Sequence, residues 1–192
     1  MIDYFALLDQ PRAPWLDPAS LKDAYHRKTL ETHPDTARSG GTEQGFAELN
    51  EAYQILQDPK RRLHHMLELE GHPPSPSDQA VPAELHDLFP AIGALTQQAN
   101  LLQEKMKTAS NALSRSLLKP KILELEKETK ELREKIQTLS DASHAQLRVI
   151  NVRWKNSPAN EITGLSKLYF VFAYLNRWSA QLDEIAFQLS LN

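Results

Sequence analysis

Three adjacent residues, His33-Pro34-Asp35, set a titratable ring and a carboxylate on either side of a residue that cannot continue a helix. Proline removes a backbone donor and disfavours helix in the residue before it, so the tripeptide belongs to a turn and is displayed rather than packed along a helix. Three residues match by chance in many chains, so their meaning rests on what surrounds them. The other chemistry-bearing group is His64-His65. Adjacent helical side chains point roughly 100 degrees apart, and the chain has 0 Cys to complete a tetrahedral set, so neither a metal site nor a cofactor is expected. There is no Gly-rich phosphate loop, no serine elbow and no paired metal carboxylates, which argues against catalysis by this chain itself. The segment Glu124 to Lys135 alternates acid and base as an exposed helix face does. With a formal net charge of -3, nucleic acid is not an expected partner.

These residues sit in a chain of 192 residues with 41% hydrophobic and 24% charged content and only 6 Gly, long enough for two small domains and rich in helix formers. The fold class expected is all-α. Asp17-Pro18 supplies a cap and a first-turn proline for a helix carrying Leu21, Ala24, Tyr25 and Lys28, which ends at His33-Pro34. A second stripe, Phe46, Leu49, Ala52, Tyr53 and Leu56, repeats at three and four residues and stops at Asp58-Pro59. A shorter helix with Leu63, Met66, Leu67 and Leu69 runs up to Gly71. The run Gly71-His72-Pro73-Pro74-Ser75-Pro76-Ser77-Asp78 then breaks the helical pattern, which sets residues 1–71 apart from 83–192 across a Pro-rich linker at 72–82.

Beyond the linker, Leu95, Ala99, Leu102, Met106, Ala109 and Leu113 form one heptad-like seam. Ile122, Leu125, Thr129, Leu132, Ile136 and Leu139 form another, with Pro120 between them. An antiparallel hairpin follows. The last segment, Ile162 to Leu191, carries Leu165, Leu168, Phe172, Leu175, Trp178, Leu182, Ile185 and Leu189 and is expected to cross that hairpin, completing a C-terminal three-helix bundle. Trp154 and Trp178 read as buried anchors of that bundle. Pro90 and Gly93 are expected to interrupt any helix through Leu85–Leu95. The absence of cysteine suits a reducing compartment, the cytoplasm by default. Met1 leads directly into Asp3-Tyr4-Phe5 and no stretch approaches a membrane span, so neither export nor membrane anchoring is expected.

Asp3-Tyr4-Phe5-Ala6-Leu7-Leu8, Leu21-Lys22-Asp23-Ala24-Tyr25, the central tripeptide, and Phe46-Ala47-Glu48-Leu49-Asn50-Glu51-Ala52-Tyr53-Gln54-Ile55-Leu56-Gln57-Asp58-Pro59 together resemble the J-domain family. The resemblance implies an antiparallel helical hairpin whose His33-Pro34-Asp35 loop contacts a DnaK-type heat-shock chaperone and stimulates its ATPase. In that role Asp35 makes a charge-assisted contact to a partner cation while His33 and Pro34 fix the loop. Lys22, His26, Arg27 and Lys28 occupy the stretch that in the family forms a basic face meeting an acidic chaperone surface. Glu31, Thr32 and Thr36 make that field weaker than in many J-domains, so a slower or more selective encounter is expected. Read without the family, Lys22, Arg27 and Lys28 are a solvated helix face.

The long connection Gln10-Pro11-Arg12-Ala13-Pro14-Trp15-Leu16-Asp17 and the run Arg61-Arg62-Leu63-His64-His65-Met66-Leu67-Glu68-Leu69-Glu70-Gly71 are similar to the HscB type of co-chaperone, as is Tyr174-Leu175-Asn176-Arg177 near the end. That resemblance implies a C-terminal domain holding an iron–sulfur cluster scaffold of the IscU type, with the cluster on the scaffold. Leu85, Leu88, Phe89, Ile92 and Tyr174 are the candidate docking patch, and the same five residues read equally well as ordinary bundle core. A J-domain adaptor for another client, and a structural helical adaptor without chaperone-stimulating activity, are the alternatives.

Overall fold

The computed structural model describes residues 2–32, 43–75 and 82–191. The chain is all-α: α1 (Tyr4–Leu7), α2 (Pro18–Thr32), α3 (Glu43–Gln57), α4 (Pro59–Leu69), a short 3-10 turn (Ala83–Leu85), α5 (Leu88–Thr108), α6 (Ala112–Ser116), α7 (Lys119–Trp154) and α8 (Pro158–Ser190). Two compact units result, one of Met1–Gln79 with His144–Phe170, the other of Ala80–Ser143 with Val171–Asn192. Thus α7 and α8 each supply residues to both.

In the first unit the helix starts follow the Asp-Pro signals. Asp17 Oδ2 accepts the Ser20 N–H at 2.9 Å and Asp58 Oδ1 accepts the Arg61 N–H at 2.8 Å, each just before a proline whose missing N–H costs nothing in a first turn. Helix α4 ends where Gly71, at φ 78, turns left-handed. The His72 N–H reaches back to Leu67 O at 2.8 Å and the Gly71 N–H to Glu68 O at 3.1 Å, the double closure that a glycine after the last turn makes without strain. Phe5, Leu8, Leu21, Ala24, Leu49, Ala52, Leu56, Leu63, Met66 and Leu67 are buried, and so are Leu147, Ile150, Trp154, Leu165 and Leu168 from the parts of α7 and α8 in this unit. A methyl group on Gly164 would lie 3.3 Å from Ile150 Cδ1, so the bare glycine admits the close approach of α8 to α7.

The second unit is the three-helix bundle of α5, α7 and α8. Its core takes Leu85, Leu88, Ile92, Leu95, Ala99 and Leu102, then Ile122, Leu125, Leu132 and Ile136, then Val171, Leu175, Trp178, Leu182, Ile185 and Leu189. Steps of three and four put each set on one helix face. Thr129 is buried in the α7 stripe with its hydroxyl donating to Leu125 O at 2.6 Å, and Gln181 Nε2 donates to Thr96 Oγ1 at 2.6 Å between α8 and α5.

Three expectations are corrected. Helix α5 runs unbroken through Pro90 and Gly93: Pro90 is its third residue, where the backbone N–H has no intrahelical acceptor to lose, and Gly93 merely costs propensity. The first seam does not reach Leu113, because α5 ends at Thr108 with Ala109 extended and Asn111 Oδ1 takes the Ser114 N–H at 2.8 Å to start α6. Side-chain bonds of this kind to the local backbone compete with a continuing helix. Pro120, which lies between the two seams, is the second residue of α7, a helix of 36 residues to Trp154. Trp154 is buried in the first unit rather than in the bundle, and only the part of α8 from Val171 onward packs in the bundle.

Candidate interaction site

Helices α2 and α3 are the elements that flank the His33-Pro34-Asp35 tripeptide in the chain. His33, Pro34 and Asp35 themselves lie outside the described residues, as do residues 36–42. The helices are tied together by aromatic and polar contacts. The Tyr25 and Tyr53 rings stack 4.4 Å apart at 21°, and the Tyr25 hydroxyl donates to Asn50 Oδ1. Leu21 and Ala24 of α2 and Leu49, Ala52 and Leu56 of α3 are buried. Residues four apart share a helix face, so the buried side of α2 leaves Lys22, His26 and Arg27 exposed.

The basic stretch is held by a carboxylate that sequence spacing does not single out. Asp9, just after α1, has its carboxylate 2.8 Å from Lys28 Nζ and 3.4 Å from the Arg27 guanidinium. The hydrogen bond from Lys28 holds the Asp9 carboxyl below the usual carboxylate range. Asp9 takes φ 50, a left-handed conformation that Asp tolerates better than most residues. The sequence signal was slight: an acidic residue in the connection before α2, with no periodicity to place it. Its effect is to cancel part of the positive field of Arg27 and Lys28 while leaving Lys22 and His26 outside this ion-pair cluster.

The connection 10–17 is structured by the first unit rather than looped into solvent. Arg12 bridges Asp3 at 2.6 Å and Glu70 at 3.3 Å, so one guanidinium joins the caps of α1 and α4. Burial works against the Asp3 charge, but Arg12 and the Ala6 and Phe5 N–H groups outweigh it and hold the carboxyl below its ordinary range. The Trp154 indole N–H donates to Arg12 O at 3.0 Å, the Trp15 N–H donates to Asn151 Oδ1 at 3.3 Å, and the Arg148 guanidinium lies 5.4 Å from the centre of the Trp15 ring, within cation–π range. Arg62 is buried, donating from Nε to Pro14 O at 2.9 Å and from a terminal nitrogen to Leu56 O.

His64 and His65 diverge as their adjacency requires. His65 is buried, its Nε2 accepting the Tyr4 N–H at 3.2 Å and its ring stacked at 5.8 Å on Phe5. His64 pairs with Glu68 at 3.2 Å and packs against the Tyr169 ring. Among the described residues no three His, Cys, Asp or Glu side chains gather as a metal site would need.

Of the candidate docking patch, Leu85, Leu88 and Ile92 are core residues of the second unit. Phe89 is exposed and Tyr174 half-buried, their rings 5.2 Å apart edge to face, and Phe89 also meets Trp178 at 4.8 Å. The five residues do not form one surface: two remain accessible, backed by a buried tryptophan.

Residues 3–65 match the DnaJ domain model. Over 65 residues, 33% of the chain, the sequence is 42% identical to the chaperone protein DnaJ 2 of Aquifex aeolicus, of which it spans 17%. In fold it is similar to the human co-chaperone protein HscB, with TM-score 0.59 at 17% identity, covering 95% of this chain and 81% of that one. It is likewise similar to the chaperone HscB from Vibrio cholerae, with TM-score 0.52 at 20% identity, covering 96% and 99%. Residues 3–65 are thus similar to the DnaJ domain, and the helical scaffold as a whole is similar in fold to the HscB co-chaperones.

Proposed function

We propose that this chain is a J-domain co-chaperone that stimulates the ATPase of a DnaK-type heat-shock chaperone through His33, Pro34 and Asp35. The observation that carries the reading is the DnaJ-domain match across 3–65, with the tripeptide falling in the chain between the paired helices α2 and α3. Lys22, His26, Arg27 and Lys28 meet the acidic chaperone surface, and Asp9 tempers their field. The chain makes and breaks no covalent bond; it stabilises the chaperone conformation that hydrolyses ATP, which is differential binding to one of two states. Functionally, 1–71 addresses the chaperone, 72–82 connects, and 83–192 holds the client. The proposed compartment is the cytoplasm.

The client in this reading is an IscU-type iron–sulfur scaffold, docked around Phe89 and Tyr174. Its support is the similarity to HscB proteins in fold and in the 61–71 run. Steady-state ATP turnover of a DnaK-type chaperone, measured with the intact chain and with Asp35→Asn, tests the first claim: stimulation by the intact chain and none by the variant at unchanged helicity is expected. No stimulation by the intact chain leaves a structural helical adaptor. Pull-down of the scaffold by the full chain, with Phe89→Ser as control, tests the second. Stimulation without capture makes this a J-domain adaptor for a different client.

A further inference from the structure

One end of the second unit carries a surface that its own fold does not use. Helix α6 is a properly formed turn, with the Asn111 side chain capping the Ser114 N–H at 2.8 Å, yet none of its residues is buried. Leu113 and Leu117, four apart and therefore on one side of the turn, are 72% and 73% exposed. Phe187 and Leu191 near the end of α8 are 60% and 69% exposed. The last turns of α5 and α8 meet α6 around one shallow hollow of about 400 Å³ whose walls include Met106, Lys107, Arg115 and Leu191. Solitary exposed leucines are ordinary; four large exposed apolar side chains on elements that meet at one end of a bundle mark an interaction surface.

Charge says what kind. From Lys105 to Lys121 the chain has five basic residues, Lys105, Lys107, Arg115, Lys119 and Lys121, and no acidic one, and Ala186 to Leu191 carry no charge, in a protein whose overall charge is -3. Glu104 and Glu124 flank the run and pair with Lys107 at 2.8 Å and Lys121 at 2.9 Å, but such exposed pairs are weak and leave the balance positive. A second copy of this chain would bring the same cations and be repelled. A folded acidic protein would need a recess for each projecting side chain. A lipid surface needs no such match, being anionic outside and soft and apolar beneath, and basic residues around exposed Leu and Phe are the composition of peripheral membrane elements.

We propose that the α6 end of the second unit docks on anionic lipid bilayers, with Leu113, Leu117, Phe187 and Leu191 entering the interface and Lys105, Lys107, Arg115, Lys119 and Lys121 contacting the headgroups. No helix among the described residues is long and apolar enough to cross a membrane, so the association is peripheral. It does not depend on the chaperone reading.

Co-sedimentation of the full chain with phosphatidylcholine vesicles, with and without phosphatidylglycerol, tests this. Binding is expected only to the anionic vesicles, falling steeply with salt and about tenfold in Leu113→Asp/Leu117→Asp and in Arg115→Glu/Lys119→Glu. Circular dichroism checks that the variants keep their helicity, and Leu117→Trp supplies a direct probe, its emission moving to the blue on anionic vesicles. No binding at low salt, equal binding to neutral vesicles, no blue shift, or binding to poly-glutamate in place of vesicles each overturns the proposal, the last in favour of an acidic polypeptide.

Discussion

Arg62→Ala is the perturbation that best separates a structural role from a coincidence of sequence. Arg62 is 4% exposed, and burial pulls its pKa below the ordinary guanidinium range to about 10, so it remains a cation at neutral pH. That displacement corresponds to a burial cost of about 3 kcal/mol, offset by two charge-assisted bonds, to Pro14 O and Leu56 O, worth about 1.5–3 kcal/mol each. Truncation removes the burial cost but leaves two buried carbonyls unpaired at about 1–3 kcal/mol each. It also opens a cavity where the stem packed, about 1–2 kcal/mol more. The net expectation is a loss of about 2–3 kcal/mol, against less than about 0.5 kcal/mol for exposed Arg61→Ala. Urea unfolding followed by tryptophan emission reads the global effect. The local effect is read by trypsin: with Pro14 unfastened, the bond after Arg12 is cut faster in the Arg62 variant. Equal midpoints for both variants, with unchanged cleavage after Arg12, would refute the reasoning.

Acidification tests His65. Its Nε2 accepts the Tyr4 N–H, which only the neutral ring can do. Burial, with Arg12 and His64, lowers its pKa against the opposing pull of Asp3 and Glu68. A base with a folded pKa below its unfolded value of about 6.5 leaves stability intact above that value. Stability then falls with pH as the unfolded chain takes up its proton first, and levels off below the folded pKa. His65→Gln should flatten this dependence in pH-resolved unfolding, and an unchanged slope would assign it to other groups. At Asp9, Asn removes the carboxylate that neutralises Arg27 and Lys28. In the proposed co-chaperone role, the rate of association with a DnaK-type chaperone at low salt should rise about twofold, with a steeper salt dependence; stopped-flow rates no faster than the parent's would show that the basic side of α2 does not face that chaperone.

How much was readable in advance differs by element. Asp17-Pro18 and Asp58-Pro59 marked their helix starts, and Gly71 its helix end, because capping is settled by neighbours in sequence. The stripes through Leu49–Leu56 and Ile122–Ile136 identified buried faces, because helical periodicity is local too. Pro90 is expected to break its helix and does not: a proline's effect depends on its place in the helix, and Pro90 falls within a first turn, which spacing alone does not say. Among Leu85, Leu88, Phe89, Ile92 and Tyr174 spacing leaves core and docking surface undivided, since apolar residues near a helix start look alike whether they face a core or a partner.

By itself, then, the sequence determined the helical class, the caps, the apolar faces and the family likeness of the first third of the chain, all of which depend on residues a few positions apart. Only the tertiary structure decided that residues 144–170 belong with the N-terminal helices, that Trp154 fastens the Arg12 connection, that Asp9 tempers α2, and that Arg62 holds the Pro14 carbonyl 48 residues away. Each of those joins groups separated along the chain, and chain separation carries no periodic signal.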